Sequence, residues 1–135
     1  VAVCSRSFSR NSILRPELLA RYPLVTFNDA GLQLQGDGLV DFLGGHDKAI
    51  TGLEVLDEHV LGRLPELQVI SKYGVGLDMI DLAAMRKHGK RLGWTGGVNR
   101  RSVAELVISF AIALLRHVPM AHREVRSGVW RQHIG

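Results

Sequence analysis

Within the first 95 residues, five short runs rich in apolar and β-branched residues alternate with four helix-like segments. The runs are VAVCS from Val1, VTFND around Thr26, KAITG from Lys48, LQVISKY from Leu67 and KRLGWT from Lys90. Strands joined through helices run parallel, and their crossovers are right-handed. The expected fold is therefore α/β, a flavodoxin-like five-stranded parallel sheet of order 2-1-3-4-5 with helices on both faces. LQVISKY, a continuous apolar run, reads as a strand buried on both sides.

Punctuation marks the intervening helices. ILRPELLARY forms the first after a polar loop, RSFSRNS. LVDFLGG is expected to take Asp37 as N-cap and to stop at Gly44-Gly45. LDEHVLGRL starts near Asp57 and ends before Pro65, and DLAAMRKHG runs between Asp81 and Gly89. Ligands of such sheets sit beyond the carboxyl ends of the strands. The loops after the first strand (Arg6 to Ser12) and the third (Thr51, Gly52) are expected to open there, together with the end of the fourth.

The fourth strand ends in KYGVGLDMID, where Gly74 and Gly76 flank Val75. A tight strand-to-helix turn explains the glycines. So does an anion nest, with the amides of Val75 and Gly76 pointing outward near a helix N-terminus at Ile80. Lys72 is expected to pair with Asp78 or Asp81, and Trp94 to join the core. The loop from Ser5 to Ser12 is either an anion site or a solvated serine-rich turn.

A second informative stretch is GGVNRRSVAELVISFAIALLRHVP. Ser102 and Glu105 have capping-box spacing. From Val103 to Val118 only Glu105, Ser109, Arg116 and His117 interrupt the apolar residues. Sixteen residues with charges at both ends are short for a membrane span, which needs about 20. A helix apolar on all sides is buried on all sides, so a neighbour is expected, either another domain or a second copy, and the chain by itself is expected to pair as a homodimer through 103–118. Pro119 then opens another helix, closed by Gly128. Asn99 is a turn residue or an amide for a substrate oxygen. Arg100 and Arg101 oppose the helix dipole unless an anion lies close.

Charge narrows the partners. Residues 1–85 hold 7 Lys and Arg against 11 Asp and Glu, whereas residues 86–135 hold 10 against 2. The basic half has no nucleic-acid motif and no aromatic–basic interleaving, so small anions are the expected ligands. The six histidines are scattered and no Cys/His spacing marks a metal site. Cys4 is the single cysteine, which excludes an internal disulfide and favours the cytoplasm.

The run from LPELQVISKYGVGLDMID through the GVN turn and SVAEL to LLRH…REVRSGVW resembles the D-isomer-specific 2-hydroxyacid dehydrogenases, the phosphoglycerate dehydrogenase branch above all. The likeness is close over about residues 48–131 and looser before. It implies a substrate-binding domain at 1–97, and an interdomain helix with the start of an NAD-binding domain at 98–135. The strand and GxGxxG loop of the family's Rossmann domain are absent from this sequence, which therefore corresponds to the family's N-terminal part. The resemblance further implies that Tyr73, Gly74, Val75 and Gly76 meet the substrate, with the amides of Val75 and Gly76 holding its carboxylate. Asn99 would orient a small 2-hydroxy or 2-keto acid. Arg100 and Val103 would lie beside NAD or NADP, although Arg100 stands where relatives carry Ser or Thr. The family's catalytic Arg, Glu and His have no counterpart here, so the chain alone is expected to turn nothing over. The alternative is a non-enzymatic, flavodoxin-like dimerisation or regulatory module, since some relatives are corepressors. A phospho-receiver is disfavoured, because Ser5-Arg6 stands where its acidic pair belongs.

Overall fold

The computed structural model describes residues 1–134. They form two compact units, one spanning Val1–Gly96 and one beginning at Gly97.

In the first unit the strands are β1 (Ala2–Val3), β2 (Thr26–Phe27), β3 (Lys48–Thr51), β4 (Val69–Lys72) and β5 (Arg91–Gly93). All pair in parallel, in the order β2-β1-β3-β4-β5. This is the expected sheet. The helices are α1 (Arg6–Ser9), α2 (Leu14–Arg21), α3 (Gly36–Leu43), α4 (Glu58–Gly62) and α5 (Leu82–Lys87). The polar loop expected after β1 is thus partly helical. Ser5 caps α1 by accepting from the Phe8 amide at 3.3 Å, and Phe8 and Ser9 are buried.

One core cluster joins the sheet to α3, α4 and α5. Ala2, Cys4, Ala49 and Ile70 meet Leu39, Leu43, Val60, Leu61, Ala84 and Met85. Each large aliphatic side chain buried there contributes about 1.5–3 kcal/mol. The strand residues of opposite phase are less covered: Ile50 and Val69 are half-buried and Ser71 is exposed. β4 is therefore not buried on both faces, contrary to its apolar reading. An apolar run records that a strand is central, not how thick the layer over each face is.

Local caps follow the sequence in part. Asp57 accepts from the Val60 amide at 2.9 Å, and Asp81 accepts from Ala83 and Ala84, both at 2.9 Å. Asp37 is not an N-cap. That position is Gln35, and Asp37 sits in the first turn of α3. There it suits the helix dipole and binds His59 at 2.9 Å, as well as Arg63. Two buried polar groups are fully engaged. Asn28 donates to the carbonyls of Cys4 and Leu32 at 2.9 and 2.8 Å, fixing the loop after β2. Lys90 donates to the carbonyls of Leu64 and Leu67 at 2.6 and 2.8 Å, and burial lowers its pKa.

The second unit holds α6 (Arg100–Leu115) and α7 (Val118–Arg126), bent by 60° from each other. His117 makes the break with a left-handed backbone, φ 55°. The expected capping box is not formed. The helix starts at Arg100, so Ser102 lies inside the first turn, and Glu105 accepts from Arg101 at 2.9 Å. No residue of α6 is buried. Among the described residues, no single helix is long and apolar enough to cross a membrane.

Candidate functional site at the carboxyl edge of the sheet

The carboxyl ends of β1, β3 and β4 enclose a cavity of about 570 Å³. Ser5, Arg6, Ser7 and Arg10 line it from the first crossover, Gly52, Leu53 and Glu54 from the third strand's loop, and Tyr73 from the fourth's. The chain builds this mouth by close approach. A Cβ on Gly52 would lie 2.9 Å from Ser5 Oγ, so a side chain there would push the two loops apart. Glu54 Oε2 accepts from the Gly52 amide at 2.6 Å and closes that loop on itself. The Phe8 and Tyr73 rings meet edge to face, centroids 5.2 Å apart, which holds α1 against the end of β4.

Tyr73 donates its amide to the Thr51 carbonyl at 2.7 Å, the last link of the β3–β4 ladder. The chain then leaves the sheet through Gly74, whose φ of 135° is open only to glycine. Among the described residues, the amides of Val75 and Gly76 donate to no protein acceptor. The Val75 carbonyl accepts from Trp94 Nε1 at 2.9 Å. Trp94 is therefore not a core residue. It follows the edge strand β5, which has no neighbour on its outer side, and is 45% exposed.

Two further expectations about this turn need correcting. Helix α5 begins at Leu82 and not at Ile80, and its first amides are already bonded to Asp81. Met79 and Asp81 instead bond to Leu56, pinning the far end of the turn to an isolated bridge. Lys72 makes no ion pair with Asp78 or Asp81. Its ammonium donates to the Gly52 carbonyl and to Met79 Sδ at 3.0 Å. Burial lowers its pKa, while Glu54 and Asp78 act the other way.

Of the residues singled out in the sequence, Tyr73 lines the cavity and Gly74, Val75 and Gly76 continue from it. Asn99, Arg100 and Val103 belong to the second unit: Asn99 holds the N-cap position of α6 without a side-chain cap bond, Arg100 opens the helix, and Val103 is exposed on its first turn. Arg6, Arg10 and Glu54 were not singled out one by one. The two arginines belong to the serine-rich loop weighed as an anion site, and their spacing of four places them on one side of α1. Among the described residues, no group of three or more His, Cys, Asp or Glu could hold a metal ion.

Residues 3–131 match the D-isomer specific 2-hydroxyacid dehydrogenase, catalytic domain. The chain belongs to that family. A glyoxylate/hydroxypyruvate reductase of Arabidopsis thaliana is 32% identical over 128 residues, covering 84% of this chain and 40% of the relative. Glyoxylate/hydroxypyruvate reductase A of the same plant is 41% identical over 76 residues, covering 56% of this chain and 24% of the relative. Among solved structures, a D-isomer specific 2-hydroxyacid dehydrogenase from Polaromonas sp. superimposes with a TM-score of 0.74 at 25% identity, covering 98% of this chain and 41% of that one. D-2-hydroxyisocaproate dehydrogenase has the same fold, with a TM-score of 0.74 at 17% identity, covering 99% of this chain and 41% of that one. The chain thus spans about a quarter to two fifths of the length of these relatives.

Family membership gives the cavity a frame. Its mouth lies where doubly wound sheets place ligands. Its polar lining is two guanidinium groups, one carboxylate, two hydroxyls and the Tyr73 phenol. The chemistry of that set suits an anion, with guanidinium groups as charge-assisted donors. It has no cysteine nucleophile, since Cys4 lies behind it, fully buried, with its thiol pKa pushed well up by burial and, second, by Glu54.

Proposed function

We infer that this chain supplies the substrate-binding part of an NAD(P)-dependent 2-hydroxyacid dehydrogenase, which interconverts a 2-hydroxy acid and a 2-keto acid by hydride transfer. One observation carries the reading: in a member of this family, Tyr73 lines a cavity at the carboxyl edge, and in the turn that follows it in the chain the amides of Val75 and Gly76 have no protein acceptor among the described residues. Two adjacent free amides suit a carboxylate, which accepts several hydrogen bonds at once. Gly74 supplies the backbone angle that aims them, and Asn99 orients the substrate oxygen.

Arg100 and Val103 are the residues assigned to the nicotinamide cofactor. The start of α6 fits such a group: its N-cap side chain makes no cap hydrogen bond, and Val103 offers exposed apolar surface. The cofactor supplies the hydride. The catalytic Arg, Glu and His of this chemistry are assigned to no residue of this chain, so the 135 residues alone turn nothing over. In this reading residues 1–97 serve substrate binding, residues 98–135 begin the nucleotide domain, and the protein works in the cytoplasm as a homodimer through α6.

Two specificities fall within the class. The motif set favours a phosphoglycerate dehydrogenase-like enzyme, and the names of the relatives favour glyoxylate or hydroxypyruvate. The two differ by a second anionic group on the acid. A non-enzymatic dimerisation module is a second reading, supported by the exposed apolar residues of α6.

The test is an amide NMR titration of the chain with a 2-keto acid. The expected result is that the Val75 and Gly76 signals shift first and saturate. Binding without those signals moving, or no binding at all, overturns the assignment.

A further inference from the structure

Arg6 and Arg10 are the two cations that line the cavity at the carboxyl edge of the sheet. Arg15, Lys48, Arg63 and Lys87 each meet a carboxylate. Among the described residues, neither Arg6 nor Arg10 forms an ion pair, yet both line the cavity. They lie four residues apart along α1 and its cap, where two like charges repel across one turn. The only carboxylate lining the cavity, Glu54, is already engaged by the Gly52 amide. The cavity therefore presents two cations against one anion. A substrate with a single carboxylate, held by Val75 and Gly76, would leave both guanidiniums without a partner.

The space also continues past them. A smaller recess of about 120 Å³ shares Arg6, Leu53 and Glu54 with the cavity and extends along Gln33 and Gln35. Ligand cavities of roughly 300–1,000 Å³ suit molecules larger than a two-carbon acid. The main cavity, at about 570 Å³, is in that range.

We propose that Arg6 and Arg10 are specificity-determining residues that hold a second anionic group of the substrate, a phosphate or a distal carboxylate, at the end remote from the 2-position. The assignment rests on the reading of Val75 and Gly76 as the site of the first carboxylate. Guanidinium groups bind either anion with two hydrogen bonds in one plane, which makes them better suited than lysines to fix such an end.

The experiment is calorimetric titration of the 135-residue chain with matched pairs of acids. D-Glycerate is compared with 3-phospho-D-glycerate, and 2-oxobutyrate with 2-oxoglutarate, with inorganic phosphate as control. At least one dianion is expected to bind about tenfold tighter than its partner, the worth of one charge-assisted hydrogen bond. Which dianion gains more tells phosphate from carboxylate. In the double variant Arg6→Gln, Arg10→Gln the ratio of the two affinities is expected to fall below about threefold, as for screened surface charges. If that variant does not fold, the guanidinium Nε–H signals of the unaltered chain replace it: they must shift with the dianion and not with the monoanion. Equal affinities within both pairs overturn the role of the arginines and leave the carboxylate site standing. No binding of any acid overturns both.

Discussion

The indole Nε1–H of Trp94 donates to the Val75 carbonyl at 2.9 Å, so the residue after the edge strand β5 holds the turn that leaves β4. Replacing Trp94 with Phe keeps an aromatic ring and removes the donor. Stability is expected to fall by about 1 kcal/mol, the net worth of an ordinary hydrogen bond. Affinity for a 2-keto acid is expected to fall further than stability does, because the Val75 and Gly76 amides lose their fixed direction. Urea unfolding and an NMR titration measure the two effects. An unchanged affinity would show that the turn keeps its shape without the indole.

Gly74 makes a sharper test of the same turn. Its φ of 135° lies where side chains are rarely tolerated, although a Cβ would have room, with Lys72 Cε as its nearest neighbour at 3.6 Å. Gly74→Ala is therefore opposed by backbone strain and not by a clash. It is expected to cost about 1–3 kcal/mol in urea unfolding. A neutral substitution would mean that the turn relaxes to another conformation, and the binding titration should then fail.

The sheet was legible because alternation of short apolar runs with helices is a whole-chain pattern that no single residue can spoil. Asp57 and Asp81 were legible as markers of helix starts, and each turns out to directly precede its helix. The failures have one cause: a side chain's partner is chosen by tertiary neighbours. Lys72 turned to the Gly52 carbonyl because β3 lies alongside in the sheet, and the Asp78 carboxylate acts on it only from beyond ion-pair distance. Trp94 read as core from its size, but an edge strand covers one flank only. Ser102 and Glu105 had the right spacing for a box, yet the helix began three residues early. Of the candidate site, Tyr73 and the glycine turn could be read from residue types. The roles of Arg6, Arg10 and Glu54 could not, because they follow from α1 folding over the end of the sheet.

Acid should weaken the fold through three surface clusters. Asp29 is held below the usual carboxylate range by its hydrogen bond to Arg15, Asp37 by His59 and then Arg63, and Glu58 by Lys87 and then His88. A carboxylate whose folded pKa is depressed is protonated more readily in the unfolded chain. Its contribution is thus complete above the unfolded values, about 3.9 for Asp and 4.3 for Glu, and is lost as pH falls through the lower folded ones. The urea midpoint is expected to decline over that window, and less steeply in Asp37→Asn. High salt should flatten the decline, since all three clusters are exposed. A midpoint independent of pH in this range would mean that the pairs contribute nothing net.

Cys4 should be inert in the folded chain. It is fully buried, and burial first, then Glu54, pushes its thiol pKa far above the usual value. Because the thiolate is the reactive form, iodoacetamide is expected to leave Cys4 untouched until urea unfolds the protein. Mass spectrometry reads the result directly. Rapid labelling under native conditions would show that β1 opens locally, and the first unit would then be less cooperative than its single core cluster implies.

The last prediction concerns α6. Val107, Phe110 and Leu114 are 61, 62 and 68% exposed, and Leu106, Ile108 and Leu115 flank them. An apolar surface of this kind exceeds what monomers usually leave in water. A two-fold pairing of the helix with a second copy buries the same residues on both partners, which is the simplest closed solution. The chain is expected to scatter light as a dimer at concentrations of tens of micromolar, and Phe110→Glu to convert it to monomer without altering the melting of the first unit. The charge would be desolvated twice in each dimer, once from each copy, so a single substitution suffices. A monomeric wild-type chain, or a Phe110→Glu dimer, would mean that these side chains are covered by something other than their own copy.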